Sequence, residues 1–165
     1  MSNPSIDLFH ARLQIERLIC SYADLLDAGH VEQVANLFER GKICIDGIDA
    51  VHHGSKAILD MFVKFTLFYD KDLQIANPTI VRARPWTKHL SSNLNFELLN
   101  GAEAILWSCF TVMQGLPGKK ISPIVVGRYR DTFNCDNGEW YFVERMEYID
   151  LVGDVSHHLK GVSLG

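Results

Sequence analysis

The sequence predicts an α+β domain in which amino-terminal helices pack on one face of a curved antiparallel sheet. Three observations lead there. Apolar residues recur at helical spacing as far as Phe68, β-branched and aromatic residues take over from about Thr87, and two hairpin signals, Asn100-Gly101 and Asn137-Gly138, punctuate that second half.

The first helix is read from Asp7 to Leu26. Ala11, Ile15, Leu18, Ile19, Tyr22, Leu25 and Leu26 recur every three or four residues, with Arg12, Glu16 and Arg17 between them. Gly29 closes it, and a shorter helix follows from Val31 to Phe38. Lys42 to Asp46 alternates weakly and ends at Gly47, which predicts a short strand. Ser55 is the expected N-cap of a third helix from Lys56 to Phe68, whose apolar side carries Ile58, Leu59, Phe62 and Phe65. Asp70 to Pro85 is the loosest connection, with room for an edge strand at Thr79 to Ala83.

Each Asn-Gly pair sets a register if its two residues form the loop. The first pairing places Leu99 opposite Ala102, Leu94 opposite Trp107, Asn93 opposite Ser108 and Ser91 opposite Phe110, so that His89, Ser91, Asn93 and Asn95 share a face. The second places Phe133 opposite Phe142, Tyr129 opposite Met146 and Gly127 opposite Tyr148, with Arg128, Arg130 and Arg145 on the other face. The aromatic face is expected inside, because burying arginines costs far more than burying rings.

At 165 residues and 47% hydrophobic, the chain suits one domain over residues 1–165, with a core from about 6 to 159. A net charge of −4 argues against a nucleic-acid partner. The longest apolar stretch, Ala104 to Met113, is broken by Ser108 and Thr111, well short of the ~18 residues of a membrane span. Met1 to Ser5 carries no basic cluster leading into an apolar block, so a cytoplasmic address is expected. Cys20, Cys44, Cys109 and Cys135 form no CxxC pair and are expected as buried free thiols. His52-His53 and His157-His158 lack a third ligand at metal-site spacing, so no metal is expected.

Phosphate-binding glycine loops, nucleophile elbows and HExxH patterns are absent from the sequence, which leaves acid–base chemistry without a cofactor. Tyr22 and Asp27 lie at the end of the first helix, and His89 opens the polar face of the first long strand. The negative end of a helix and burial would both raise the Asp27 pKa, and a carboxylate so placed holds an imidazole in one tautomer. On the residues alone, Asp27 also reads as a polar helix-end residue and Tyr22 as a core ring. The two side chains lie about 140° apart on an ideal helix, so they converge only where the helix end overlies a cavity mouth. The hairpin registers add Asn93, Ser108, Phe110, Tyr129 and Met146 as pocket-lining candidates.

Ile15-Glu16-Arg17-Leu18, Tyr22 to Gly29 and Val34 to Phe38 resemble the opening of SnoaL-like proteins (polyketide cyclase or dehydratase type) of the nuclear transport factor 2 superfamily. Lys88 to Asn93, Gly127 to Phe133, Trp140 with Glu144-Arg145, and the tail Gly153 to Leu159 carry the resemblance to the end of the chain. The resemblance implies a cone-shaped α+β barrel of cystatin-like type, its helices packed on a strongly curved antiparallel or mixed sheet around an apolar pocket. It further implies a homodimer or higher homo-oligomer packed through the sheet, a small hydrophobic molecule as ligand, and proton-transfer chemistry without a metal or organic cofactor. Tyr22 and Asp27 match the Tyr-x4-Asp spacing of the bile-acid dehydratase of this superfamily, and His89 matches its histidine. The expected function is therefore a dehydratase, isomerase or cyclase acting on a steroid, polyketide or aromatic intermediate, with Tyr22, Asp27 and His89 catalytic. Arg82 to Asn93 also resembles the small subunit of aromatic-ring-hydroxylating dioxygenases, which implies the alternative of a non-catalytic assembly protein. Simple binding of a hydrophobic ligand is the third possibility.

Overall fold

The computed structural model describes residues 4–161, with side chains from residue 7. Residues 1–3, part of the segment considered for a leader, lie outside the described residues. The order is α1 (Pro4–Ala28), α2 (Val31–Asn36), β1 (Lys42–Ile45), β2 (Ile48–His53), α3 (Gly54–Phe65), β3 (Thr87–Leu99), β4 (Glu103–Gln114), β5 (Ser122–Asp136) and β6 (Glu139–Val152). One six-stranded sheet runs in the order β2-β1-β6-β5-β4-β3. It is mixed, because β1 lies parallel to β6 while every other neighbouring pair is antiparallel.

Helix α1 crosses the concave face and buries Ala11, Ile15, Ile19, Tyr22 and Leu26 against Phe133, Phe142 and Leu106 of the sheet and Phe38 after α2. It ends where Gly29 takes a φ of +81°, a conformation glycine adopts without steric cost. The missing side chain also lets the loop pack against it: a Cβ on Gly29 would lie 1.8 Å from the Ala83 carbonyl oxygen.

Several local expectations are corrected. Helix α2 stops at Asn36 rather than Phe38. His52 and His53 are not in a turn but end β2, which pairs with β1, and His53 rather than Ser55 precedes α3 as its N-cap residue. Helix α3 stops at Phe65, because Thr66 turns extended and bridges Leu159 of the tail. No strand forms at Thr79 to Ala83: Tyr69 makes isolated bridges to Ile75 and Arg84, and Asp70 Oδ1 accepts the Asp72 and Gln74 amides to fold the intervening loop. Cys20 is exposed and Cys109 and Cys135 are half-buried, so Cys44 alone of the four is buried as expected.

Of the expected hairpin pairs, Ser91 with Phe110 and Phe133 with Phe142 hold, whereas Trp107 faces Asn95 rather than Leu94, Ser108 does not face Asn93, and Gly127 faces Ile149 rather than Tyr148. Asn137 and Gly138 take φ of +52° and +85° in a two-residue turn, and Phe133 faces Phe142 as expected. The first turn is longer. Asn100 Oδ1 accepts the Ala102 and Glu103 amides, and the ladder resumes with Leu99 opposite Ala104. Ser91 still faces Phe110, because extra residues in β3 absorb the difference through two bulges. The first bulge holds Asn93 at a φ of +54°, a left-handed conformation that asparagine tolerates. It switches the inward set from His89 to Leu94 and Phe96, which pack on the core.

A third bulge has the largest chemical effect. Phe133 faces Phe142, but Thr132 faces Glu144, so Val143 is an extra residue in β6. From that point Arg145 and Glu147 turn inward and Met146 turns outward, opposite Arg130.

Candidate active site

Asp27 sits in the last turn of α1, at the point where the helix meets the start of β3. Its Oδ1 lies 2.6 Å from His89 Nδ1 and accepts the Thr87 hydroxyl at 2.8 Å, while Oδ2 accepts the His89 backbone amide at 2.9 Å. Lys88 Nζ stands 3.6 Å from Oδ2. Only 8% of the Asp27 side chain and 7% of the His89 side chain remain accessible. Burial alone would raise the Asp27 pKa, but the hydrogen bonds and charge of His89, with the Thr87 bond, hold it below the usual carboxylate value. This corrects the expectation of a raised pKa at a helix end. An ionised carboxylate only accepts, so His89 Nδ1 carries the proton and, in the neutral ring, Nε2 carries the free lone pair.

Tyr22 joins this pair from one turn earlier on α1. Its ring is buried and meets the His89 imidazole edge to face, with centroids 6.5 Å apart. Tyr22 and Asp27 lie about 140° apart on α1, yet both meet the His89 ring, Tyr22 edge to face and Asp27 by its carboxylate. Burial, with the Glu147 charge adding, pushes the Tyr22 hydroxyl well above its ordinary pKa, so it stays a donor.

Ser108, Phe110 and Tyr129 face the same interior. Ser108 stands opposite Tyr129 in the ladder, and the Phe110 and Tyr129 rings stack with centroids 4.2 Å apart. Ser108 Oγ is buried without a partner. Two candidates are corrected. Asn93 is exposed and points its amide at Cys109 Sγ on the outer face, because of the bulge in β3. Met146 leaves the pocket set because of the bulge at Val143, and Glu147 takes the place opposite Tyr129.

Arg145 is the residue that sequence reasoning placed on the wrong side. It has no accessible surface, donates through Nε and Nη2 to both oxygens of Asp131 at 2.8 and 2.7 Å, and lies over the rings of Tyr22 at 4.1 Å and Tyr129 at 3.9 Å. Burial opposes its charge, but Asp131 raises its pKa and the ion pair persists. Glu147, half-buried on the same inward face, is pushed up to about 7 by desolvation, aided by Asp131 and opposed by Arg145. Asp131 two residues after Tyr129 was the available signal for an inward ion pair.

A strap of tail closes the mouth. Gln114 Nε2 donates to the carbonyls of both Pro85 and His157, and the Tyr69 hydroxyl donates to the His157 carbonyl. Val155 beneath it packs on Phe110, Ile124 and Tyr129. His158 in this strap is buried with Nδ1 unpartnered, and burial, with the His89 charge adding and Asp27 opposing, lowers its pKa to about 4. Among the described residues no three His, Cys, Asp or Glu side chains group as a metal site requires, and no helix is long and apolar enough to cross a membrane.

Comparison with known proteins agrees with this architecture. An NTF2-like protein with a cystatin-like fold from Novosphingobium aromaticivorans superposes with a TM-score of 0.68 at 22% identity, covering 93% of this chain and 90% of its own. The hexachlorocyclohexane dehydrochlorinase of Novosphingobium barchaimii gives 0.66 at 15% identity over 98% of both chains. A beta subunit assigned to an aromatic-ring-hydroxylating dioxygenase of N. aromaticivorans gives 0.63 at 14% identity, covering 87% and 91%. No curated protein matches the sequence. The model of the SnoaL-like domain matches residues 8–146, and the chain belongs to that family.

Proposed function

We propose that the protein is a cofactor-independent acid–base enzyme of dehydratase, isomerase or cyclase type, acting on a small hydrophobic cyclic molecule. One observation carries this: the buried Asp27 carboxylate grips both the ring and the backbone of His89, with contacts at 2.6 and 2.9 Å. The grip fixes the Nδ1–H tautomer, aims Nε2 as a base, and balances the charge that forms when it takes a proton. His89 removes a proton beside a carbonyl or a leaving group, and the Tyr22 hydroxyl donates to the oxygen on which charge develops. Stacked Phe110 and Tyr129 supply an apolar wall, and Ser108 Oγ supplies a further hydrogen bond. The structural similarity to a protein named as a dehydrochlorinase, an enzyme of elimination, supports proton abstraction on this architecture.

Deuterium wash-in beside the carbonyl of cyclic ketones such as 2-tetralone, followed by proton NMR, tests this reading. Wild type should accelerate exchange and His89→Ala should lose ~10²-fold or more of it. Equal rates for both would overturn the assignment.

Exposed Leu90, Ile149, Leu151 and Val152 on the sheet favour a second role as an assembly surface, for a second copy of this chain or a larger partner subunit. Light scattering on the purified chain distinguishes a homodimer from a monomer that waits for its partner.

A further inference from the structure

A sizeable cavity lies outside the Asp27–His89 pair. It is an open groove of about 820 Å³ between the end of α1 and the loop before β3, lined by Ala28, His30, Tyr69, Asp70, Lys71, Val81, Arg82, Ala83, Arg84 and Trp86. That volume falls within the range of sites for small organic ligands.

Its charge runs against that of the protein. The chain carries a net charge of −4, yet the groove gathers three permanent cations, Lys71, Arg82 and Arg84, against one carboxylate. Asp70 is already engaged, its Oδ1 accepting two backbone amides of its own loop, and Lys71 pairs with Asp72. Arg82 and Arg84 are different: among the described residues neither makes an ion pair, although the chain pairs Arg12, Arg40, Arg128, Arg130 and Arg145. Arg84 is held in place, with its guanidinium stacked 3.7 Å over the Trp86 ring.

The apolar part of the lining is equally ordered. Trp86 takes a φ of +56°, a strained conformation for a bulky residue, and the surrounding structure has to hold it there. The Trp86 carbonyl accepts the Gly115 amide and Ala83 docks against Gly29, so both ends of this short segment are pinned. Trp86 and Ala28 are chain neighbours of Thr87 and Asp27, whose side chains are bonded at 2.8 Å. The groove therefore adjoins the reacting pair, one residue after Asp27 and three residues before His89.

We propose that this groove binds the anionic end of an amphipathic ligand, a carboxylate or phosphate ester attached to an apolar ring-bearing body, with Arg82 and Arg84 as charge partners and Trp86 as the apolar wall. As a statement about substrate class it rests on the reading of Asp27 and His89 as the reaction centre, with the apolar body directed past Trp86 towards it. As a statement about binding it stands by itself. Arginine supplies two parallel donors that match the oxygens of such groups, and two arginines two residues apart can share one anion.

Two fluorescent probes that share an anilinonaphthalene ring system test it on the full chain: 8-anilinonaphthalene-1-sulfonate, which carries an anionic sulfonate, and the neutral N-phenyl-1-naphthylamine. The sulfonate probe should bind at least ~10-fold more tightly, and the double variant Arg82→Gln, Arg84→Gln should lose that advantage while its circular dichroism stays that of wild type. Raising sodium chloride from about 50 to 500 mM on wild type should weaken the sulfonate probe alone, an arm that involves no variant. Equal affinities for the two probes, or a sulfonate affinity indifferent to both arginines and salt, would overturn the proposal. Deuterium wash-in on the wild type reads the Asp27–His89 pair without reference to the arginines, so failure of the groove and failure of the catalytic reading are separable.

Discussion

Asp131 on β5 and Arg145 on β6 stand directly opposite each other in the ladder and close a two-pronged ion pair with no accessible surface on either side chain. Such a pair tolerates the loss of neither member alone. Asp131→Ala should lower unfolding free energy by roughly 3–5 kcal/mol, because it strands a buried guanidinium, while Asp131→Leu with Arg145→Met should recover much of that loss. Urea denaturation of wild type and the two variants checks the order, and a double variant as unstable as Asp131→Ala would refute it.

Asp27→Asn keeps the size of the side chain and removes its charge. The amide no longer stabilises a protonated His89, so proton abstraction should slow ~10²-fold or more with little change in melting temperature. The same deuterium wash-in, followed beside a thermal melt, separates this outcome from unfolding.

Glu147 and His158 give pH dependences of opposite sign. The folded pKa of Glu147 is raised to about 7, so the folded state binds its proton more readily than the unfolded chain does. That contribution is complete below about pH 4.5 and is lost as pH rises through about 7, by of the order of 3 kcal/mol at most. Glu147→Gln should flatten stability over that window.

His158 acts in reverse. Its folded pKa is depressed to about 4, so the unfolded chain binds the proton more readily and stability falls as pH drops from 6.5 towards 4. His158→Gln should resist acid better than wild type in that range. Chemical denaturation at pH 4.5, 6 and 8 on wild type and each single variant isolates the two effects.

Gly29→Ala combines a left-handed φ with a Cβ placed on the Ala83 carbonyl. It should destabilise by more than about 1 kcal/mol and loosen the loop that lines the arginine groove. Hydrogen exchange at Tyr69 and Arg84, whose amides and carbonyls bond each other, reports the loosening.

The helical and hairpin layout was legible because periodicity and turn chemistry are local: α1 and the Asn137-Gly138 turn follow from neighbouring residues alone. The residues alone left Asp27 open as a polar helix-end residue; the resemblance to the Tyr-x4-Asp spacing and histidine of the bile-acid dehydratase singled it out with His89, and the two side chains do meet. Strand β2 was not, because His52-His53 before Gly54 looks like a turn until β1 is there to pair with it. Arg145 was misplaced by a sound energetic rule applied to the wrong register. The rule forbids an unpaired buried arginine, and Asp131 supplies the partner.

The bulge at Val143 shows where the chemistry of the interior is written. If Val143 paired as a regular ladder residue, Glu144 and Met146 would occupy the inward rows now held by Arg145 and Glu147. Drawing Val143 into a regular ladder would exchange a barrel holding an ion pair for one holding a thioether and an unmatched acid, whereas deleting Val143 would leave Arg145 and Glu147 facing inward. Relatives of this chain should therefore be aligned by strand spacing before their interior residues are compared, because an ungapped alignment would pair inward side chains of one with outward side chains of the other.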